Sequence, residues 1–353
     1  MNHKKNIIKT LEHLGVFLGQ FTSVEPKKSK EALHNDLFFD GFKQQLKLAQ
    51  EYNGWFTKAN LIFAIQQWYN LLQKKILEQW LSAYKLPVQH PKKVAIIMAG
   101  NIPLVGFHDF ISALVSGHNI VIKQSSNDKH LLPYLVSYVQ HLAPNLKGKI
   151  KFTNNKLEDF DAVIATGSNN TARYFEAYFK DYPAIVRKNR NSVAILTGKE
   201  SKEQLTGLAE DIFRYYGLGC RSVSKLFVPK DYDFDGFFNA IYEWHPIMNS
   251  AKYANNYDYN KAVYLMSEFN LLENGFLMLK EDPHYGSPIA TLFYEFYENL
   301  ETLKERLKND NKYIQCIVSE GLLTKEIPFG HTQCPSLGDY ADNVDTVDFL
   351  LKI

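Results

Sequence analysis

The alternation of short apolar runs with helical stretches between residues 93 and 195 constrains this chain most. "KKVAII", "NIVIK", "GKIKF", "DAVIAT" and "SVAIL" are rich in β-branched residues. Between them lie "PLVGFHDFISALVSG", "DKHLLPYLVSYVQHL" and "TARYFEAYF", whose apolar positions recur at helical spacing. Strands alternating with helices in this way predict βαβ units and a parallel sheet covered on both faces. Ligands of such sheets bind at the carboxyl ends of the strands. Three turns therefore stand out: "AGNIPL" after the first strand, "KQSSND" after the second, and "ATGSNN" ahead of a helix. The last gathers backbone N–H groups and a helix dipole at one point, which suits a phosphate, although Gly-Ser-Asn is also ordinary turn chemistry. Neither a GxGxxG nor a Walker A sequence is present.

Residues 1 to about 85 read as helices of a packing layer, as in "TKANLIFAIQQWYNLLQKKILEQWLSAY". Past residue 190 a second α/β region follows. It holds the strand "SVAILTG", the helix "KEQLTGLAEDIFRYYG", the strand "SVSKLFVP", and later "GSPIATLFYEFY", a helix around "LETLKERLKND" and the strand "YIQCIVSE". A boundary falls near residues 188 to 192. The expected domains are residues 1–190, with the N-terminal helices and the nucleotide-binding sheet, and residues 191–353, with the C-terminal tail.

The net charge of +2 argues against a nucleic-acid footprint. No apolar run approaches the roughly 20 residues that span a bilayer. The lysine-rich N-terminus is interrupted by Glu12 and His13 and lacks a small-residue cleavage site, so no secretory signal is expected. The three cysteines form no CxxC pair and no evident disulfide framework, which predicts a cytoplasmic protein.

Of these cysteines, Cys220 follows a Gly-Leu-Gly turn at the mouth of a strand. Free cysteines are commonly small buried hydrophobes, but a thiol on a glycine-hinged turn also suits a nucleophile. Cys316 lies inside "YIQCIVS" and reads as core. Cys334, near His331 in "FGHTQCP", leaves a Cys/His hydrolase open, with no third orienting residue evident. His108, His284 and His331 show no metal-ligand spacing, so no metal site is expected.

In chain order, "GNIPL", "NIVIKQSS", "ATGSNN" and "GLGCRSVSKLFVP", followed by "YGSPIATLFYEFYENLETL", resemble the aldehyde dehydrogenase superfamily. Within it, "SSND" and the ending "FGHTQCPSLGDYADNVDTVDFL" are similar to the acyl-CoA reductases, relatives of the fatty acyl reductase of bacterial bioluminescence. The resemblance covers roughly residues 90 to 353. It implies an α/β, aldehyde-dehydrogenase-like fold: a helical N-terminal segment, a Rossmann-like nucleotide domain, and an α/β catalytic domain with Cys220 in the cleft between the two. It further implies reduction of an acyl-CoA, with a long chain, to an aldehyde through an S-acyl intermediate on Cys220. Asn101 and the Cys220 backbone N–H would hold the oxyanion, Lys123 and Ser125 would contact the cofactor's ribose, and Gly167 and Ser168 would lie near its pyrophosphate. The acyl group would arrive on CoA or a carrier, with an acyl-transferring partner enzyme a further implication. A reductase of acyl phosphates, and a dinucleotide-binding partner subunit without turnover, both stay open.

Three departures sharpen this expectation. Superfamily members that form free acids carry a Glu-Leu-Gly-Gly-Lys motif whose glutamate activates the hydrolytic water. Here the basic stretch "VRKNRN" stands in its place, with the glutamate position on or near Arg187. Without that base the acyl-enzyme should hydrolyse slowly and exchange with another thiol instead. Ser126 stands where many NAD-preferring members place a glutamate, which leans the cofactor toward NADPH while NADH stays open. The short link between the N-terminal helices and the first strand leaves little room for the dimer-forming β-hairpin arm. Arg221 or Lys123 would raise the thiolate fraction of Cys220, whose free pKa is about 8.5.

Overall fold

A computed structural model describes residues 2–353. The chain forms two compact units, Met1–Lys188 with Ser336–Ile353, and Asn189–Pro335.

The first unit opens with four helices, α1 (Asn2–Gly19), α2 (Asn35–Tyr52), α3 (Lys58–Leu71) and α4 (Lys74–Ser82). Ile7, Leu11, Leu14 and Leu18 recur at helical spacing along α1 and are all buried. Phe17 stacks on Tyr138, with ring centroids 4.3 Å apart, and so ties this layer to the helices over the sheet. Thr57 caps α3 by accepting the Asn60 N–H.

The predicted alternation follows: β1 (Lys93–Ile97), α5 (Phe107–Ser116), β2 (Asn119–Lys123), α6 (Leu131–Leu142), β3 (Ile150–Phe152), β4 (Ala162–Thr166), α7 (Asn169–Tyr178) and β5 (Ala184–Arg187). The five strands lie in the order β3-β2-β1-β4-β5, with every pair parallel. Val94, Ala95 and Ile96 of β1 have no exposed surface, as a central strand covered on both faces requires. From β1 the chain runs outward through β2 and β3, then returns to the other side of β1 for β4 and β5. The topological switch point thus lies between β1 and β4.

The second unit contains β6 (Asn191–Ile195), α8 (Lys202–Phe213), β7 (Val223–Pro229), α9 (Phe234–Ile241), α10 (Ala251–Met266), β8 (Leu271–Glu273), β9 (Met278–Glu281), β10 (Thr291–Tyr297), α11 (Leu300–Asn309) and β11 (Ile314–Val318). Its sheet order is β11-β6-β7-β10-β9-β8, parallel except for the edge strand β8. A capping box, Ser201 with Gln204, opens α8.

The break after Lys188 lies beside the boundary expected at residue 190. The tail, expected with the cysteine domain, instead belongs to the first unit, where it ends in α12 (Thr346–Leu351). The Trp80 indole donates to the Tyr340 hydroxyl at 2.8 Å, and the Tyr84 hydroxyl donates to Asp345 at 2.7 Å. Partners separated by some 260 positions leave no local trace in the sequence. Among the described residues, no helix is long and apolar enough to cross a membrane.

Candidate active site

In the first unit the expected residues cluster at the carboxyl ends of β1, β2 and β4. Asn101 lies in the turn between β1 and α5, half-buried. Lys123 ends β2, and its ammonium donates to the Asn155 carbonyl at 3.1 Å. Ser125 accepts the Asn127 N–H at 3.2 Å, and Ser126 is exposed. The Asn101 turn and the Lys123 loop are in direct contact. A Cβ on Gly100 would lie 2.7 Å from Ser125, so only glycine lets the two backbones close up there. On the other side of the switch point Ser168 caps α7, accepting the Thr171 N–H at 3.3 Å. A Cβ on Gly167 would press on Thr171 at 3.0 Å. Backbone N–H groups at a helix start, side by side with a glycine-packed loop at the switch point, fit a dinucleotide. Lys123, Ser125, Ser126, Gly167 and Ser168 are the residues that would hold it.

In the second unit Cys220 is exposed, in the turn between α8 and β7. The sequence reading extends α8 through Gly217, but the helix stops at Phe213. Arg214 leaves the helical region, and Tyr215 and Tyr216 both adopt left-handed φ values, 56° and 59°. These conformations are costly for residues with a Cβ, and the burial of the Tyr215 ring holds the first of them in place. The sharp exit aims the chain into a turn closed by the Ser222 N–H on the Gly219 carbonyl at 3.0 Å. Ser192, on β6, donates its hydroxyl to the Cys220 carbonyl at 2.9 Å, and Gln333 donates to Ser222 at 3.3 Å. The Cys220 carbonyl is thereby tied down while its side chain reaches solvent.

Other candidates sort themselves by contact. Arg221 donates to the Sγ of buried Cys316 at 3.3 Å. Cys334 reaches solvent, but burial around its sulfur and the carboxylates of Glu210 and Asp211 push its thiol up, away from the thiolate. The His331 ring nitrogen pairs with the Phe329 carbonyl at 2.9 Å. Arg187, in the stretch expected to lack the hydrolytic glutamate, forms a buried ion pair with Asp109 of α5 and donates to Thr346 of α12 at 2.9 Å. Among the described residues, no group of three or more His, Cys, Asp or Glu is placed to hold a metal ion.

Two further carboxylates carry no local sequence signal. Asp211, within α8, accepts from the Gly330 N–H and from both the N–H and the hydroxyl of Thr332, which anchors the "FGHTQC" loop. Asp128 accepts the Leu104 N–H at 2.8 Å, while its Oδ1 is buried with no hydrogen-bond partner. Burial raises the Asp128 carboxyl from its ordinary value of 3.8 to about 6. The folded protein therefore holds this proton more tightly than the unfolded chain does. The resulting stabilisation is complete below pH 3.8 and disappears as the pH rises through about 6. Asp128→Asn keeps an acceptor for Leu104 without a charge. It is expected to raise stability at pH 8 by up to about 3 kcal/mol, from the two-unit shift, and to change it little at pH 4. Urea unfolding across this range checks the sign, and an equal effect at both ends would refute it.

The fold is that of solved aldehyde dehydrogenases. Solved structures of similar fold include the putative aldehyde dehydrogenase PutA of Anabaena variabilis, with a TM-score of 0.56 and 15% identity over 93% of this chain and 80% of that one. Aldehyde dehydrogenase 21 of Physcomitrella patens, in complex with succinate, has a TM-score of 0.62 and 12% identity over 91% and 79%. The indole-3-acetaldehyde dehydrogenase AldA of P. syringae, in complex with NAD+, has a TM-score of 0.59 and 12% identity over 86% and 69%. Within that fold the chain belongs to the acyl-CoA reductase (LuxC) family, whose model matches residues 25–239. The long-chain acyl-protein thioester reductase of Aliivibrio fischeri is 25% identical over 235 residues. That match takes in 61% of this chain but 48% of the relative, so the chain spans about half of the relative's length.

Proposed function

We propose that this protein reduces a long-chain acyl thioester, acyl-CoA in the first instance, to the aldehyde through an S-acyl intermediate on Cys220. The observation that carries this reading is the exposed thiol on a turn whose carbonyl is tied to Ser192. Family membership and the relative's name supply the substrate class.

The Cys220 thiolate attacks the thioester carbonyl, and the electron pair moves onto oxygen. The Asn101 amide and the Cys220 N–H stabilise that oxyanion, one such donor being worth about 2.7–4 kcal/mol in related sites. The carbonyl re-forms, the bond to CoA sulfur breaks, and CoA leaves as a thiolate that needs no strong acid. A bound reduced nicotinamide cofactor supplies the hydride for the S-acyl carbon. The thiohemiacetal on Cys220 then expels the cysteine thiolate as the aldehyde forms. The AldA complex with NAD+ supports a nicotinamide cofactor for this fold. The one carboxylate of the 123–128 loop, Asp128, is buried against Leu104, and Ser126 itself is exposed and uncharged, which supports acceptance of a 2′-phosphate at this loop. NADPH is accordingly the preferred donor in this reading.

The test is incubation with mass-tagged palmitoyl-CoA, without NADPH, followed by peptide mass spectrometry. An acyl adduct on the Cys220 peptide, discharged as aldehyde when NADPH is added, is the expected result. An adduct on Cys334, or none, would overturn the mechanism. Replacing the donor with palmitoyl phosphate or a palmitoylated carrier protein separates the three acyl sources.

A further inference from the structure

We propose that Asp128 is a positioning residue for this reduction, clamping the turn that carries Asn101 onto the loop that carries Lys123 and Ser125. The inference rests on the reading of Asn101 as the oxyanion donor.

The turn from Asn101 to Gly106 has no regular structure of its own. At its centre Leu104 is buried, with 3% of its surface exposed, and adopts a left-handed φ of 57°. That conformation is strained for a leucine and persists only where the surroundings fix it. The Leu104 N–H, in this buried place, needs an acceptor. Asp128 provides it at 2.8 Å from the neighbouring loop.

Asp128 is itself held firmly. Its N–H donates to the Ser125 carbonyl at 3.3 Å, and the Gln124 amide donates to its carbonyl at 3.0 Å. One residue earlier, the Asn53 amide donates to the Asn127 carbonyl at 3.3 Å. The position of a Gly100 Cβ lies 3.1 Å from the Asp128 nitrogen, so the strand end before Asn101 packs on the same loop. The Asn101 turn is therefore gripped from both sides, through Gly100 before Asn101 and through Leu104 after it. The Gly100 contact is steric and tolerates sliding. The Asp128–Leu104 hydrogen bond is directional and fixes the rotation of the turn, and with it the direction of the Asn101 amide. Displacing a catalytic donor by about 1 Å can cost a factor of 10² in rate.

The experiment compares wild type, Asp128→Ala, Asp128→Asn, Asn101→Ala and the Asp128→Ala/Asn101→Ala pair in NADPH-dependent reduction of palmitoyl-CoA. Hydrogen exchange of the 100–106 peptide is measured on the same proteins. Asp128→Ala is expected to lower kcat by about 10- to 100-fold with KM little changed. Asp128→Asn retains the acceptor and should return kcat to within about threefold of wild type. The double variant should be no slower than Asn101→Ala alone, because Asp128 acts through Asn101. Exchange of the 100–106 peptide should rise at least about tenfold in the alanine variant and stay at the wild-type level in the asparagine variant. Should the alanine variant not fold, Asp128→Ser, whose hydroxyl is one bond too short to reach Leu104, takes its place. A wild-type enzyme that reduces no acyl thioester sinks the proposed function, and the exchange measurement then decides the clamp by itself. An active wild type with unimpaired kcat in Asp128→Ala, losses that multiply in the double variant, or unchanged exchange each overturn the inference.

Discussion

Cys220→Ala is expected to reduce acyl-thioester reduction by at least about 10³-fold, the scale seen when a catalytic nucleophile is deleted. The fold should survive the change, since the side chain is exposed and the hydrogen bond from Ser192 goes to the backbone carbonyl. Cofactor binding should survive too, because the residues proposed to hold the dinucleotide all belong to the other unit. This separates a chemical defect from a structural one: far-UV circular dichroism and NADPH binding unchanged, acyl adduct and aldehyde both gone. Cys334→Ala is the matched control. Its thiol is held toward the protonated form by burial and two carboxylates, so turnover should stay within about threefold of wild type. Turnover that persists in Cys220→Ala and falls in Cys334→Ala would reverse the assignment of the nucleophile.

Much of this arrangement was legible in the sequence because it is local. Strands β1, β2 and β4 are apolar runs bounded by turn residues, and the turns after them are the residues that line the switch point. The turn that carries Cys220 ahead of β7 was legible for the same reason, a glycine turn directly before a β-branched run. Elements without a local signature were missed. Helix α10 interleaves Tyr and Asn around its whole circumference, so no apolar stripe marks it, and β8 is three largely exposed residues on a sheet edge. Strand β5 ends in Arg187, and the basic run after it obscured the four-residue strand. Asp128 and Asp211 read as ordinary turn and helix acids. Their burial depends on contacts with Leu104, Gly330 and Thr332, which are 24 to 121 positions away. The same holds for the tail, whose partners Trp80, Tyr84 and His108 lie more than 200 positions upstream.

Arg187 belongs to the same long-range category, and it gives the largest expected stability change. Its guanidinium and the Asp109 carboxylate are both nearly inaccessible, at 8% and 4% exposure, and Thr346 takes a further N–H. Arg187→Ala would strand a buried carboxylate and free the start of α12, at an expected cost of about 3–5 kcal/mol. Replacing both charges, as Arg187→Met with Asp109→Leu, should recover most of that loss, because burying two matched charges carries its own desolvation penalty. Urea unfolding of the single and double variants measures the difference, and a double variant as unstable as the single one would refute the pairing. The same geometry predicts what a carboxylate introduced at this position would do. Arg187→Glu would set a second carboxylate against Asp109 in a buried site, where like charges cannot both ionise. It should destabilise the first unit without producing free acid from the acyl-enzyme. Arg187 fastens the C-terminal helix to the sheet of the first unit, and under the proposed mechanism the lack of a carboxylate in this stretch would leave transfer to another thiol, or reduction, as the outlet for an acyl group on Cys220.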